Sequence, residues 1–343
     1  MKIKPLSRNT RTVVIAIAVV AVAVAAAIGV TAFLKERQTT VGLITKIESN
    51  PFFVKVREGA LSSARAKNVR LLSAAGKFEG DYQSQIAAIE DMVSQGATTI
   101  LITPNDSKAV VPAIQKAREK GVQVIALDSP TDPATAVDAL FATDNYKAGQ
   151  LIGEYAKGAL GSVPPVIATL DLFPGHPVGV LRHNGFLSGF GLAAPAPDSL
   201  ELGKADKVVC MGDSYGEQKR GREAMVKCLS EHPDINLVYT INEPAAAGAY
   251  EAIAAAGKEN QIMIVSIDGG CAGVKDVQRG AISATSQQYP NNMAILGVAA
   301  GDEYARTGKR ASGYVDTGVT LIADKEVRNV VSRGTSFGMT ACW

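Results

Sequence analysis

Five stretches of this 343-residue chain place a polar or aromatic side chain just past an apolar run. Asn50-Pro51-Phe52-Phe53 follows the run at 41–45, and Asp128 follows 124–127. Asn242 closes 237–241, Asp268 closes 263–267, and Gln288 comes just after 282–286. Carboxylates and amides at such places accept and donate hydrogen bonds, and aromatic faces suit the C–H faces of a sugar ring. Arg182, early in a helical stretch, adds a guanidinium with five fixed donors, suited to a polyol or a carboxylate. Each residue also has a plainer reading. Asp128 and Asp268 could be turn or cap residues, Phe52 and Phe53 could be core, and Arg182 could lie on a solvated helix face. Recurrence at several strand ends favours one shared ligand.

Other chemistries find no support. Neither G-x-x-x-x-G-K-[ST] nor G-x-G-x-x-G follows a strand, so no nucleotide-binding motif stands out, and the chain reads as a non-enzyme. A sugar hydrolase would need paired carboxylates; Asp128 and Asp268 are available, but the same pair serves binding equally well. His176 and His183 have no partner cysteine and no H-x-x-x-H spacing, so neither a metal nor a cofactor is implied.

The elements that must position these residues alternate. Strands at 41–45, 69–74, 98–103, 122–127 and 138–143 are separated by helices at 51–67, 81–95 and 108–120. Asn50 is a good N-cap, and Pro51 suits the first helical position. A second set follows: strands at 166–170, 207–211, 236–241 and 261–267, with helices at 146–160, 180–190, 218–229 and 243–256. A short helix near 274–279, strand 282–286, helix 291–307 and strand 314–320 complete it, and the tail from 324 is poorly patterned. Short buried strands alternating with helices make an α/β fold with mainly parallel sheets, in two similar doubly wound lobes. Ligands of such sheets lie at the carboxyl ends of the strands.

Composition bounds the setting. Apolar residues are 47% and charged residues 20%, as in globular chains. Of 35 Lys and Arg against 33 Asp and Glu, Lys2, Lys4, Arg8 and Arg11 stand at the amino end, so the remainder is net −2 and offers no broad basic footprint for nucleic acid. Those four cations precede an uncharged apolar run at 13–34, which reads as an export segment. Residues 1–38 are therefore expected to be a signal peptide or an N-terminal membrane anchor, two alternatives the pattern leaves open. Either places the body of the chain in the periplasm or on the outer face of the cytoplasmic membrane. Export permits disulfides. Cys210, Cys228, Cys271 and Cys342 allow three connectivities. Cys210 ends a strand pattern and Cys228 lies in the next helix, so that pair could be close, which would leave Cys271 for Cys342.

Lined up, these strand ends resemble the periplasmic sugar-binding proteins of the ribose-binding type (type 1, LacI-like) over about residues 40 to 320. The resemblance rests on Asn50-Pro51-Phe52-Phe53, the run ending Leu127-Asp128, Arg182-x-x-Gly185-Phe186, Asn242-Glu243, Ser266-Ile267-Asp268-Gly269 and Ala284-Thr285-Ser286-Gln287-Gln288-Tyr289-Pro290. Asn242-Glu243-Pro244, Asp268-Gly269-Gly270-Cys271 and the closing Cys342-Trp343 are most similar to the fructose-binding proteins of ABC transporters. The resemblance implies that Asn50, Asp128, Arg182, Asn242, Asp268 and Gln288 hydrogen-bond sugar hydroxyls, that Phe52 or Phe53 stacks on the ring, and that Tyr215 caps it from the other lobe. Ser129 stands where ribose binders have Arg, and Lys46 where they have Ser, which implies a changed sugar, a hexose, with Lys46 in contact. A three-crossing hinge is implied, with an N-terminal lobe of 39–144 plus 290–316 and a C-terminal lobe of 145–289 plus 317–343. The implied partners are a monosaccharide and an ABC permease; the chain is expected to be a monomer, touching the membrane through its first segment if that is uncleaved. The alternative is a membrane-tethered sugar sensor for a signalling receptor.

Overall fold

A computed structural model describes residues 38–343, and Thr39–Trp343 form one compact unit. The readings of residues 1–37 as signal or anchor lie outside the described residues. Among the described residues no helix is long and apolar enough to cross a membrane.

The first sheet is built from β1 (Thr40–Thr45), β2 (Arg70–Ala75), β3 (Thr99–Ile102), β4 (Gln123–Leu127) and β5 (Ala139–Ala142). Its order is β2-β1-β3-β4-β5, and every pair is parallel. Parallel neighbours need crossovers, supplied by α1 (Pro51–Ala66), α2 (Tyr82–Ser94) and α3 (Val111–Glu119). Strand residues alternate between two cores. Leu43, Leu101 and Ile125 face α1, while Ile44, Ile100, Ile102 and Val124 face α2 and α3. A sheet covered on both faces needs such continuous apolar runs.

The chain leaves this sheet at Asp144, whose side chain accepts from Lys147 N and opens α4 (Asn145–Leu160). The second sheet holds β6 (Ile167–Asp171), β7 (Val208–Asp213), β8 (Leu237–Thr240), β9 (Met263–Asp268) and β10 (Ala284–Gln288). Its order β7-β6-β8-β9-β10 repeats that of the first sheet, again all parallel. Its helices are α5 (Pro177–Phe190), α6 (Gln218–Glu231), α7 (Glu243–Ala255) and α8 (Cys271–Gln278). After β10 the chain returns: α9 (Pro290–Thr307) packs on α1, β3 and β4.

The sequence pattern reads 314–320 as one strand, and the structure divides it. β11 (Gly313–Asp316) pairs parallel with β5 in the first sheet, and β12 (Val319–Ile322) pairs antiparallel with β10 in the second. Two residues between them carry the chain from one sheet to the other. The poorly patterned tail also contains α10 (Thr335–Ala341), too short to show a helical period. Helix α5 begins three residues earlier than its pattern indicates, because Pro177 occupies the first helical position after His176.

Helices α4 and α5 pack unusually closely. A Cβ at Gly149 would run into Arg182 O, and one at Gly185 into Tyr146 O; Gly153 and Gly189 sit equally tight on the facing backbone. Small residues on both helices let the axes approach. This approach brings Asn145, at the start of α4, against Arg182 on α5.

Candidate functional site

The carboxyl ends of the two sheets face one another across a cleft of about 470 Å³, part of it open to solvent. In each sheet the strand order reverses beside the first strand, between β1 and β3 and between β6 and β8, which is where crevices form in doubly wound sheets. All ten side chains that the sequence marks as ligand contacts line this cleft: Lys46, Asn50, Phe52, Phe53, Asp128, Arg182, Tyr215, Asn242, Asp268 and Gln288. Glu79, Leu172, Val178, Gly216 and Ile241 complete the wall.

The first lobe contributes its share through β1 and β4. Asn50 caps α1, its Oδ1 accepting from Phe52 N at 2.9 Å. The cap reading and the cleft reading thus hold together, and capping points the amino end of α1 into the cleft. Phe52 and Phe53 are both only 5% exposed and meet edge to face at 5.3 Å. Each serves core and cleft at once. Asp128 has a φ of 63°, and its Oδ2 accepts from Ser129 Oγ at 2.8 Å. The serine thus partners the carboxylate inside the protein. Burial raises the pKa of Glu79 and nearby Lys46 opposes the rise, while the charges of Asp128 and Glu217 add to it.

The second lobe supplies a connected polar network. Arg182 is 4% exposed; its Nε donates to Asn145 Oδ1 at 2.8 Å and its Nη1 to Ile241 O at 3.0 Å. Nη1 also lies 3.9 Å from Asp268 Oδ1. Asp268 accepts from Gln288 Nε2 at 2.9 Å and from Glu243 N at 3.3 Å. Burial raises its pKa to about 6, against the pull of Arg182. Glu243, raised well above the usual carboxylate range by burial and then by Asp268, accepts from Gly269 N, Gly270 N and Thr285 Oγ. It thereby holds the turn that follows Asp268. Asn242 caps α7 through Oδ1 to Ala245 N and donates from Nδ2 to Gly216 O. Tyr215 stacks on Phe173 at 5.4 Å, with the Arg220 guanidinium 4.1 Å from its ring centroid. Gln288 Oε1 is buried with no hydrogen-bond partner in the protein. Such an acceptor is costly unless something else satisfies it.

A polar contact crosses from lobe to lobe at the cleft. Lys46 Nζ, after β1, lies 2.8 Å from His176 Nε2, at the start of α5. The ammonium donates, so the imidazole must be neutral. Burial holds the His176 pKa well below 6.5, and the charges of Lys46 and Arg182 push it the same way. Separating the lobes would return the ring to its ordinary value of about 6.5. Below that pH the separated form binds a proton that the closed form refuses, so acid favours opening; above it the effect vanishes. Affinity for a cleft ligand is accordingly expected to fall as pH drops below 6.5, by up to about tenfold per pH unit from this group. Titration calorimetry at pH 7.5, 6.5 and 5.5 checks this, with His176→Asn expected to flatten the profile. Asp268, near 6, also titrates in this window, and the variant separates its contribution from that of His176.

Residues 41–310 match the family model described as the periplasmic binding protein domain. The chain belongs to the periplasmic binding protein family. Among its relatives, the ribose import binding protein of Bacillus subtilis (strain 168) is 28% identical over 290 residues, covering 84% of this chain and 89% of that one. The ribose import binding protein of Escherichia coli (strain K12) is 29% identical over 275 residues, covering 80% and 88%. Among solved structures, an ABC transporter periplasmic solute-binding protein of Actinobacillus succinogenes with bound D-allose superposes with a TM-score of 0.74. It is 25% identical, with 83% of this chain and 98% of that one covered.

In this binding protein two disulfides frame the second lobe. Cys210 of β7 is bonded to Cys228 of α6, and Cys271 of α8 to Cys342 in the tail. Sequence reasoning passed over several cleft residues. Glu79 lies in the loop after β2 and His176 in the loop after β6, further from their strand ends than Asp128 is from its own. Asn145 could be found only through the packing of α4 on α5. Among the described residues, no group of three His, Cys, Asp or Glu is placed to hold a metal ion.

Proposed function

We propose that this chain is the extracytoplasmic solute-binding protein of an ABC sugar importer. It takes one monosaccharide between its lobes and presents the closed form to a membrane permease. The observation that carries this reading is the convergence of five strand ends, from two separate sheets, on one cleft lined by paired donors, acceptors and aromatic faces. A ligand touching both lobes stabilises the closed form over the open one, which couples binding to recognition by a partner. A wrong epimer would leave a buried polar group unpaired, so the same contacts give selectivity. The relatives named for ribose import and the relative solved with D-allose support a monosaccharide as ligand class. Within that class we assign fructose or a related hexose, because Lys46 and Ser129 depart from the ribose-binding pattern as described above. No catalytic role is assigned to any cleft residue.

Thermal melting against a panel tests the reading: D-ribose, D-allose, D-fructose and myo-inositol, each from micromolar to millimolar. A ligand bound only by the folded state raises the melting temperature by mass action. A rise with D-fructose is the expected result. A rise with D-ribose or D-allose alone would keep transport and overturn the hexose assignment for the first of these and the fructose assignment for the second. No rise with any monosaccharide would overturn the function.

A further inference from the structure

The chain ends on its one tryptophan, Trp343, and every anchor of that residue belongs to the second lobe. Cys342 is bonded to Cys271, the first residue of α8. Cys271 N donates to Trp343 O at 2.9 Å, and Trp343 Nε1 donates to Gln288 O at 3.2 Å. The indole lies over Gly270, where an added Cβ would come within 3.5 Å of it. The residue is thus wedged between the ends of β9 and β10, the two strands that carry Asp268 and Gln288 into the cleft.

Its ring reaches the other lobe. Trp343 meets Phe52 edge to face, centroids 5.4 Å apart at 81°, and packs against the core cluster of the first sheet. Phe52 is wedged between Phe53 and Trp343, so the indole fixes one side of an aromatic that lines the cleft. This contact joins the lobes and needs no sugar atom. It breaks when they separate.

We infer that Trp343 is a positioning residue: a disulfide-held latch that sets the pose of Phe52 and slows opening of the sugar-loaded cleft. The inference rests on the sugar-binding reading above. A latch formed after the sugar enters acts on departure more than on arrival. Truncating it should therefore raise the dissociation rate and leave association nearly unchanged, as is usual for interface contacts. An aromatic pair of this kind corresponds to about tenfold in rate.

The test uses the full chain in detergent micelles and whichever of D-fructose, D-allose or D-ribose raises its melting temperature. Release of radiolabelled sugar, which needs no tryptophan signal, is timed for the native protein, Trp343→Ala and Trp343→Phe. The expected result is release about tenfold faster from Trp343→Ala and within about threefold of native from Trp343→Phe, since a phenyl ring keeps the edge contact. Association should change by less than about twofold in both. The Cys271→Ser/Cys342→Ser pair should release sugar as fast as Trp343→Ala. Unchanged release from Trp343→Ala, with the native protein still shifted by sugar, overturns the latch alone. Equal losses in association and release, not rescued by Phe, reduce Trp343 to a structural residue and also overturn it. If no sugar shifts the native protein, the functional reading falls and the latch falls with it.

Discussion

Asp268→Ala is expected to abolish the sugar-induced rise in melting temperature at concentrations that saturate the native protein. The carboxylate is 4% exposed and takes donors from Gln288 and the Glu243 backbone, with Arg182 beside it. Hydrogen bonds to a charged group contribute about 1.5–3 kcal/mol each, so one lost contact corresponds to roughly 10- to 150-fold in affinity. Removing the anion also leaves the Arg182 guanidinium buried without its nearest counter-charge, which typically costs about 3–5 kcal/mol. The sugar-free variant should therefore melt lower than the native protein. Asp268→Asn keeps the shape and one acceptor, and should fall between the two. Arg182→Met alone should damage binding similarly, and the double variant should lose less than the sum, because the second change removes a charge the first had stranded. Strict additivity in that cycle would show that the two side chains do not act together. A full shift retained by Asp268→Ala would remove β9 from the ligand set.

Gly185→Ala is expected to cause a large loss of stability in the second lobe. Its Cβ would collide with the carbonyl of Tyr146 and with Gln150 N, both backbone atoms of α4. Backbone cannot turn aside as a side chain does, so α4 and α5 must separate. Overpacking costs about 1–3 kcal/mol, and a backbone clash belongs at the upper end. At roughly 2–4 °C per kcal/mol for a lobe of this size, the melting temperature should drop by about 6–12 °C. Binding should suffer as well, since the Asn145 to Arg182 hydrogen bond spans these two helices. Gly158→Ala is the control. It lies on the same helix α4, but its Cβ meets side chains, those of Val327 and Val330, and no facing backbone. A helix interior gains about 1 kcal/mol from Gly to Ala, so this variant should stay close to native. Equal effects at both positions would mean that the interhelical approach does not limit the fold.

The periodicity of residues 41 to 320 by itself determined the alternation of strands and helices, and with it two doubly wound lobes. Burial pattern is a local property, and a chain carries it in the spacing of its apolar residues. The strand-end residues Asp128, Asn242, Asp268 and Gln288 were legible for a related reason: in parallel sheets the crevice lies beyond the carboxyl ends, so position in the strand predicts position in the cleft. Asn50 was legible twice, as a helix cap and as a cleft residue.

Pairing between distant segments was decided only in three dimensions. The stretch 314–320 carries one continuous strand pattern, yet β11 and β12 belong to different sheets. A strand's period reports which face is buried and not which neighbour it bonds. His176 looked like a loop residue because its partner Lys46 is 130 residues away. Trp343 had no local pattern at all; a disulfide across 71 residues and a ring on the opposite lobe define its place. Such contacts depend on how lobes and tails close over one another, and that geometry comes from the sum of many packings rather than from any one stretch of sequence.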